Sequence, residues 1–333
     1  MRDVVTASAP GKVVLCGEYA VLDGAPAISM AVNRRARATL TASDGSSSVI
    51  TSEGYTQQVG HFRLHGSRVE WQQGQDHFGI VDSVWNEVDV TGGQQRVIHL
   101  DSSEFVATDS QTKLGIGSSA AVTVALCAAA NATADFETLA RSAQRAHADL
   151  QGGRGSGVDI ASSLHGGLIE YRMAGNSATP LNWPDDLCWR LIWSGSAAST
   201  REKISKLDAA VHRPSRVRLA DASETMSQAW QSGSADRILS EYRHYIDQLR
   251  EFSVDHELGI FDAGHEDIWR VAMGANLVYK PCGAGGGDVG IVFAKNDDEL
   301  DAFTTHLARE YEVVDCQLSR TGVMIEDLKA EHA

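Results

Sequence analysis

Positive charge, cysteine pairing and long apolar runs are all scarce in this sequence. Its 29 lysines and arginines face 44 aspartates and glutamates, a net charge of -15, which opposes any broad grip on nucleic acid or an anionic membrane surface. An anionic small molecule would have to meet a local concentration of positive groups. The five cysteines, Cys16, Cys127, Cys188, Cys282 and Cys316, are odd in number, scattered and free of any C-x-x-C spacing, so neither a disulfide framework nor a zinc site is expected. Among the 12 histidines, His61 and His65 stand four apart but lack the glutamate of an H-E-x-x-H pattern, which disfavours a zinc hydrolase. The longest apolar stretch, Ala120 to Ala130, is too short to span a bilayer. Met1 to Lys12 lacks the apolar centre of a signal peptide. A soluble protein of the reducing cytoplasm is expected.

Glycine, by contrast, is concentrated where it can do chemistry. Lys280-Pro281-Cys282-Gly283-Ala284-Gly285-Gly286-Gly287-Asp288 places four glycines in five positions, which frees the backbone to approach a ligand at an entropic cost. Two further loops share the chain with it: Ala9-Pro10-Gly11-Lys12, and Lys113-Leu114-Gly115-Ile116-Gly117-Ser118-Ser119-Ala120-Ala121. With 333 residues, 43% of them hydrophobic, the chain is long enough for two lobes, and a boundary near residue 180 is expected.

Val4 to Ala7 and Val13 to Cys16 read as short strands around the first loop, and Arg35 to Thr41 alternates as a strand does. Ala120 to Ala130 reads as a buried helix with Ser118 and Ser119 at its cap. Helices are expected over Phe136 to Leu150, Gly157 to Leu164, Pro214 to Gln231, Ala235 to Phe252 and Asp298 to Glu310. Strands are expected at Leu168 to Tyr171, Trp189 to Trp193, Asn276 to Tyr279, Val289 to Phe293, Tyr311 to Val314 and Val323 to Ile325. Gly175 to Pro184 reads as a linker.

None of the loops is a P-loop, because no segment supplies G-x-x-x-x-G-K-[ST]. Gly285-x-Gly287-x-x-Gly290 has dinucleotide-motif spacing but precedes a strand-like run instead of opening a helix, so that reading lacks its context. At Gly115 to Ala121 a glycine loop runs into a helix start, where free backbone N–H groups and the dipole make an anion site or, more blandly, an ordinary cap.

These three segments, in this order, resemble the three motifs of the GHMP kinases, from Ala9-Pro10-Gly11-Lys12 with Gly17-Glu18-Tyr19-Ala20-Val21-Leu22, through Gly115 to Ala121, to Gly283 to Gly290. Within that superfamily the phosphomevalonate kinase branch is the most similar. Gly17-Glu18-Tyr19-Ala20-Val21, Gln151-Gly152-Gly153-Arg154-Gly155-Ser156-Gly157-Val158-Asp159-Ile160-Ala161, Trp193-Ser194-Gly195 with Ala198-Ser199-Thr200, and Asp288 after Gly287 are like that branch. Two positions depart from it. Gly153 stands where many of those enzymes have lysine, leaving Arg154 to grip phosphate bidentately. The glutamate that mevalonate kinases hold before their catalytic aspartate is absent, since Ala148, with Asp149 beside it, occupies the place eleven residues before Asp159.

The resemblance implies an α+β, two-lobed fold, with a ribosomal-protein-S5-like N-terminal lobe over residues 1–180 carrying the ATP loop, and a ferredoxin-like α/β lobe over 181–333 carrying the Gly-rich loop. It implies ATP and magnesium as cofactors, a phosphorylated small molecule as acceptor, and a monomer or homodimer. Lys12 and Asp159 are the implied catalytic pair. Lys113, Gly115, Gly117, Ser118, Ser119 and Ala120 would bind ATP, Ser118 and Ser119 also magnesium. Glu18, Tyr19, Arg154, Ser156, Gly157, Ser199, Gly283, Ala284, Gly285 and Gly286 would contact the acceptor. The implied reaction turns 5-phosphomevalonate into 5-diphosphomevalonate in the mevalonate route to isoprenoids. Mevalonate or another hydroxyl acceptor is the alternative within the fold, and a non-catalytic sensor of this fold the alternative outside enzymes.

Overall fold

The computed structural model describes residues 4–88, 93–108, 112–153, 155–198, 203, 206–207 and 213–326. Strands β1 (Val4–Cys16), β2 (Ala27–Ser43), β3 (Ser48–Glu53), β4 (Gly60–His65), β5 (Arg68–Gln73), β6 (Gln95–Asp101), β7 (Leu168–Arg172) and β8 (Ser177–Leu181) form one sheet with the late strand β13 (Met324–Glu326). A second sheet holds β9 (Cys188–Trp193), β10 (Val278–Pro281), β11 (Val289–Ala294) and β12 (Glu312–Val314) in the order β10-β11-β9-β12. All its pairings are antiparallel, the strand order of a ferredoxin-like lobe.

Helices α1 (Gln75–Phe78), α2 (Ile80–Trp85), α3 (Ser118–Ala130), α4 (Phe136–Leu150) and α5 (Val158–His165) belong to the first part of the chain. The second part adds α6 (Pro214–Ser232), α7 (Ala235–Asp255), α8 (His265–Gly274) and α9 (Asp297–Leu307). The expected α+β class is therefore found. Helix α3 is nearly all small and apolar and is buried all round, the mark of a helix inside a core, and it packs on β1, β2, α4 and α5. Helix α4 is amphipathic and starts at Asp135, whose side chain accepts from Thr138 N, a normal N-cap.

Three local expectations are corrected. The first motif is not a loop between two strands. β1 runs unbroken through Ala9-Pro10-Gly11-Lys12, with a register shift between Pro10 and Gly11 where Arg35 gives way to Val32 on β2. Proline sits at such irregularities because it has no N–H for the ladder. Gly175 to Pro184 is largely an edge strand, β8, whose Pro180 is opposite Ile169 of β7, again a place that tolerates proline. Helix α3 is capped by Gly117 in the left-handed region (φ 84) with no side-chain bond, so Ser118 and Ser119 are helical residues and not caps.

The largest buried cluster joins the two sheets. It runs from Val13 and Leu15 of β1 to Tyr242, Tyr245 and Phe252 of α7 and to Ile291 and Phe293 of β11. The three glycine-bearing segments converge beside this shared core.

Candidate active site

At the C-terminal part of β1 the backbone N–H of Lys12 donates to Ile116 O across 2.8 Å, which joins the first motif to the second. Gly117 then lies directly on the Lys12 side chain: a Cβ added there would sit 2.9 Å from Lys12 Cγ. Lys12 is almost wholly buried and its ammonium reaches Asp159 Oδ1 at 3.0 Å. Asp159 stands in the first turn of α5, whose N-cap is Gly157 at φ 83. That glycine is required, since a Cβ there would meet Tyr171 Oη at 2.7 Å. Tyr171 also donates to Ser156 O at 2.8 Å, so the turn before Asp159 is anchored from β7.

Lys12 and Asp159 share a pocket with Glu18 and Tyr19 of the first motif, Ser156 and Gly157 before α5, and Gly283 and Ala284 of the third loop. Tyr19 donates through its hydroxyl to Ala284 O at 2.6 Å, which closes the pocket between motifs one and three. Glu18 turns inward. Its carboxylate pairs with Lys280 of β10 and accepts from the Tyr245 hydroxyl at 2.6 Å. Burial works against the Lys280 ammonium, yet Glu18 outweighs it and holds the group above its ordinary value.

Ser118 and Ser119 begin α3, where backbone N–H groups lack helical partners. Ser119 Oγ is 3.4 Å from His147 Nε2. His147 is buried on α4 and lines the same pocket. Burial depresses its pKa and Lys12 adds to this, against a raising influence of Asp159. Lys113, further back in the loop, is exposed and lies over the Tyr55 ring at 4.9 Å. Gly115 faces Asp288, whose carboxyl is pushed up by burial, while Ala198 N–H, Lys12 and Lys203 pull it down.

The third loop is held from below. Lys203 donates to Gly285 O at 2.7 Å and Gly259 O at 3.3 Å, and Gly286 N–H donates to Ile260 O at 2.7 Å. His265 bridges Tyr279 Oη at 2.7 Å and Gly287 O at 2.8 Å. Arg154 and Ser199, two of the expected acceptor contacts, lie outside the described residues, as do Thr200 and Arg201. Sequence reasoning assigned no role to Lys280, Tyr245, His147 or His265, and only the position of Lys280 at the head of the third motif marked any of them.

A magnesium ion suits this set of donors. Among the described residues no three His, Cys, Asp or Glu side chains cluster as a metal cage, and Mg²⁺ usually takes only one or two carboxylates alongside substrate phosphates. The Ser118 and Ser119 hydroxyls, which are not spent on capping, are the groups that would hold it. Among the same residues no helix is long and apolar enough to cross a membrane.

Residues 88–167 match the family model described as the GHMP kinases N terminal domain. The chain is 30% identical over 351 residues to a phosphomevalonate kinase of a Streptomyces species, covering 91% of this chain and 93% of that one. It is 28% identical over 288 residues to a mevalonate kinase of Archaeoglobus fulgidus, covering 84% and 89%. In fold it matches the Streptococcus pneumoniae phosphomevalonate kinase solved with phosphomevalonate and AMPPNP, with a TM-score of 0.77 at 17% identity over 94% of this chain and 99% of that one. Motifs one and three line one pocket and motif two packs on its Lys12; with a relative matched along almost the whole length, this places the chain in the GHMP kinases, as a phosphotransferase most like the phosphomevalonate kinases.

Proposed function

We propose that the protein transfers the γ-phosphoryl group of ATP to 5-phosphomevalonate, giving 5-diphosphomevalonate and ADP. The observation that carries this reading is the Lys12–Asp159 pair, 3.0 Å apart, in a pocket also lined by the glycine-loop residues Gly283 and Ala284. The extent of the match to the Streptomyces phosphomevalonate kinase supports the acceptor. The same reading assigns residues 1–180 to the nucleotide lobe and 181–333 to the glycine-loop lobe, with the chain crossing back to the first sheet at Met324.

Phosphoryl transfer asks a protein mainly to position reactants and offset charge, and alignment alone can be worth about 7–11 kcal/mol. In this reading Gly115, Gly117, Ser118, Ser119 and Ala120 receive the triphosphate, and Gly283 to Gly286 with Ser156 and Gly157 receive the acceptor. An acceptor phosphate oxygen attacks the γ-phosphorus while the bond to the β,γ-bridging oxygen breaks and ADP departs. Lys12 offsets the charge that the two anions bring together, and Asp159 holds Lys12. Magnesium, when bound, supplies neutralisation of the β- and γ-phosphates.

A hydroxyl acceptor is the second reading, favoured by the similarity to the Archaeoglobus mevalonate kinase. A coupled ADP-release assay with mevalonate, 5-phosphomevalonate, homoserine and galactose tests both. The highest kcat/KM is expected for 5-phosphomevalonate. A higher value for mevalonate would transfer the assignment to a hydroxyl kinase, and nucleotide binding without ADP release from any acceptor would favour a sensor.

A further inference from the structure

A buried ion pair backs the pocket, with Glu18 part of its wall, and folding stability gives no reason for it. Glu18 is 5% exposed and Lys280 is fully buried. Buried pairs recover their desolvation cost only with good geometry and further hydrogen bonds, and apolar replacements are often as stable, so their best-attested use is to fix register. Here further bonds support the pair. Lys280 Nζ donates to Glu18 and to Val14 O, and the hydroxyl of fully buried Tyr245 donates to the other Glu18 oxygen while accepting from Gly17 N–H at 2.8 Å.

What the pair registers follows from its neighbours. Glu18 lies between Gly17 (φ 87) and Tyr19 (φ 63, ψ -46), two residues of positive φ in a row of three, and tyrosine adopts such a conformation only when its surroundings enforce it. Lys280 lies at the end of β10, three residues before Gly283. Tyr245 enters from α7, more than two hundred residues from Glu18 in sequence. Tyr19 and Ala284, the residues on either side of this junction, bond to each other and line the pocket with Lys12.

We infer that Glu18, Lys280 and Tyr245 form a positioning device that sets the Tyr19–Ala284 lip against Lys12 and so tunes the acceptor pocket and not the nucleotide loop at 115–121. The inference rests on the kinase reading above. Both carboxylate oxygens of Glu18 are occupied by protein partners, so Glu18 acts through the lip and not by direct contact with the acceptor.

The experiment compares Tyr245→Phe, Lys280→Met and the double variant Glu18→Gln/Lys280→Met with the unaltered protein. Each full-length chain is measured by thermal melting, by steady-state kinetics with MgATP and 5-phosphomevalonate, and by amide hydrogen exchange without ligand. Lys280→Met strands a buried carboxylate and is expected to melt lower; the double variant restores much of that loss. Tyr245→Phe and the double variant are both expected to lose about tenfold in acceptor kcat/KM, about 1.4 kcal/mol, with the KM for ATP unchanged within twofold. Amide exchange should quicken across residues 17–19 and 283–286 and stay unchanged across 115–121.

Equal losses toward ATP and acceptor, unchanged acceptor kinetics in a stable double variant, or exchange that quickens everywhere alike would each overturn the inference. Absence of turnover in the unaltered protein would overturn the kinase reading instead, and the exchange pattern, which needs no turnover, would still decide whether the three residues set the lip.

Discussion

The carboxyl of Asp288 is seated against Gly115, so closely that a Cβ added to Gly115 would lie 2.0 Å from Asp288 Cγ. Asp288 is itself left-handed (φ 61) and is held by Ala198 N–H on Oδ1 at 2.9 Å and by its own N–H on Ser196 O at 2.7 Å. The third loop therefore presses on the second. Gly115→Ala is expected to raise the KM for ATP about tenfold, about 1.4 kcal/mol. Adding Asp288→Gly, which the left-handed backbone accepts, should recover part of that loss. A double variant no better than the single one would mean that the φ of +79 at Gly115, and not the Asp288 contact, sets the cost.

Because Gly117 is the cap of α3 and uses no side chain, the double variant Ser118→Ala/Ser119→Ala should keep its fold. Alanine is the better helix former, so stability should change by no more than about 0.5 kcal/mol. Turnover with MgATP should fall about 10- to 100-fold, the worth of hydroxyl bonds to charged groups, and the magnesium requirement should rise. A variant with unaltered kcat and magnesium dependence would reduce both serines to ordinary helix residues.

His265 gives a pH dependence of known sign. Burial, with Lys203 and Lys280 adding to it, pushes its pKa down to about 4, although the Gly287 carbonyl pulls the other way. The unfolded chain binds this proton near pH 6.5. Between those values it carries more proton than the folded one, so stability is complete above about pH 6.5 and drains away toward pH 4. The full effect is about 3 kcal/mol. Denaturant melts across that range should show the loss, and His265→Gln should flatten the slope. An equally steep slope in the variant would place the acid sensitivity elsewhere.

Local pattern was enough for much of the fold. Helix α4 begins and ends at Phe136 and Leu150 as its spacing and Asp135 cap require, and the hairpin around Gly283–Asp288 follows from strand-like runs on either side of the glycines. What failed was continuity. Pro10 and Gly11 look like a break, yet a register shift lets β1 pass through them, and Pro180 looks like a linker residue while sitting on an edge strand. In the site, Lys12 and Asp159 were legible because each stands inside a motif. The Glu18 partnership was not, since Lys280 and Tyr245 are 262 and 227 residues away in sequence and a long-range pairing leaves no periodicity to read.

The division of labour between Lys12 and Asp159 depends on which acceptor the pocket takes. A phosphate monoester has its second pKa near 6, so at neutral pH it is largely a dianion and needs no base to become a nucleophile. A hydroxyl acceptor gains about 10²- to 10⁴-fold from one. With a phosphate acceptor, the cation is the scarcer resource: on a chain of net charge -15, Lys12 is the ammonium held in the pocket at 3.0 Å from Asp159, and it offsets the approach of two anions. Lys12→Met should then reduce kcat at least as much as Asp159→Asn. Asp159→Asn keeps a polar neighbour for the ammonium and should leave a measurable rate. Both variants are to be compared at saturating MgATP and 5-phosphomevalonate. A far larger loss in Asp159→Asn, with Lys12→Met close to the unaltered protein, would contradict this assignment and make Asp159 a true base acting on a hydroxyl.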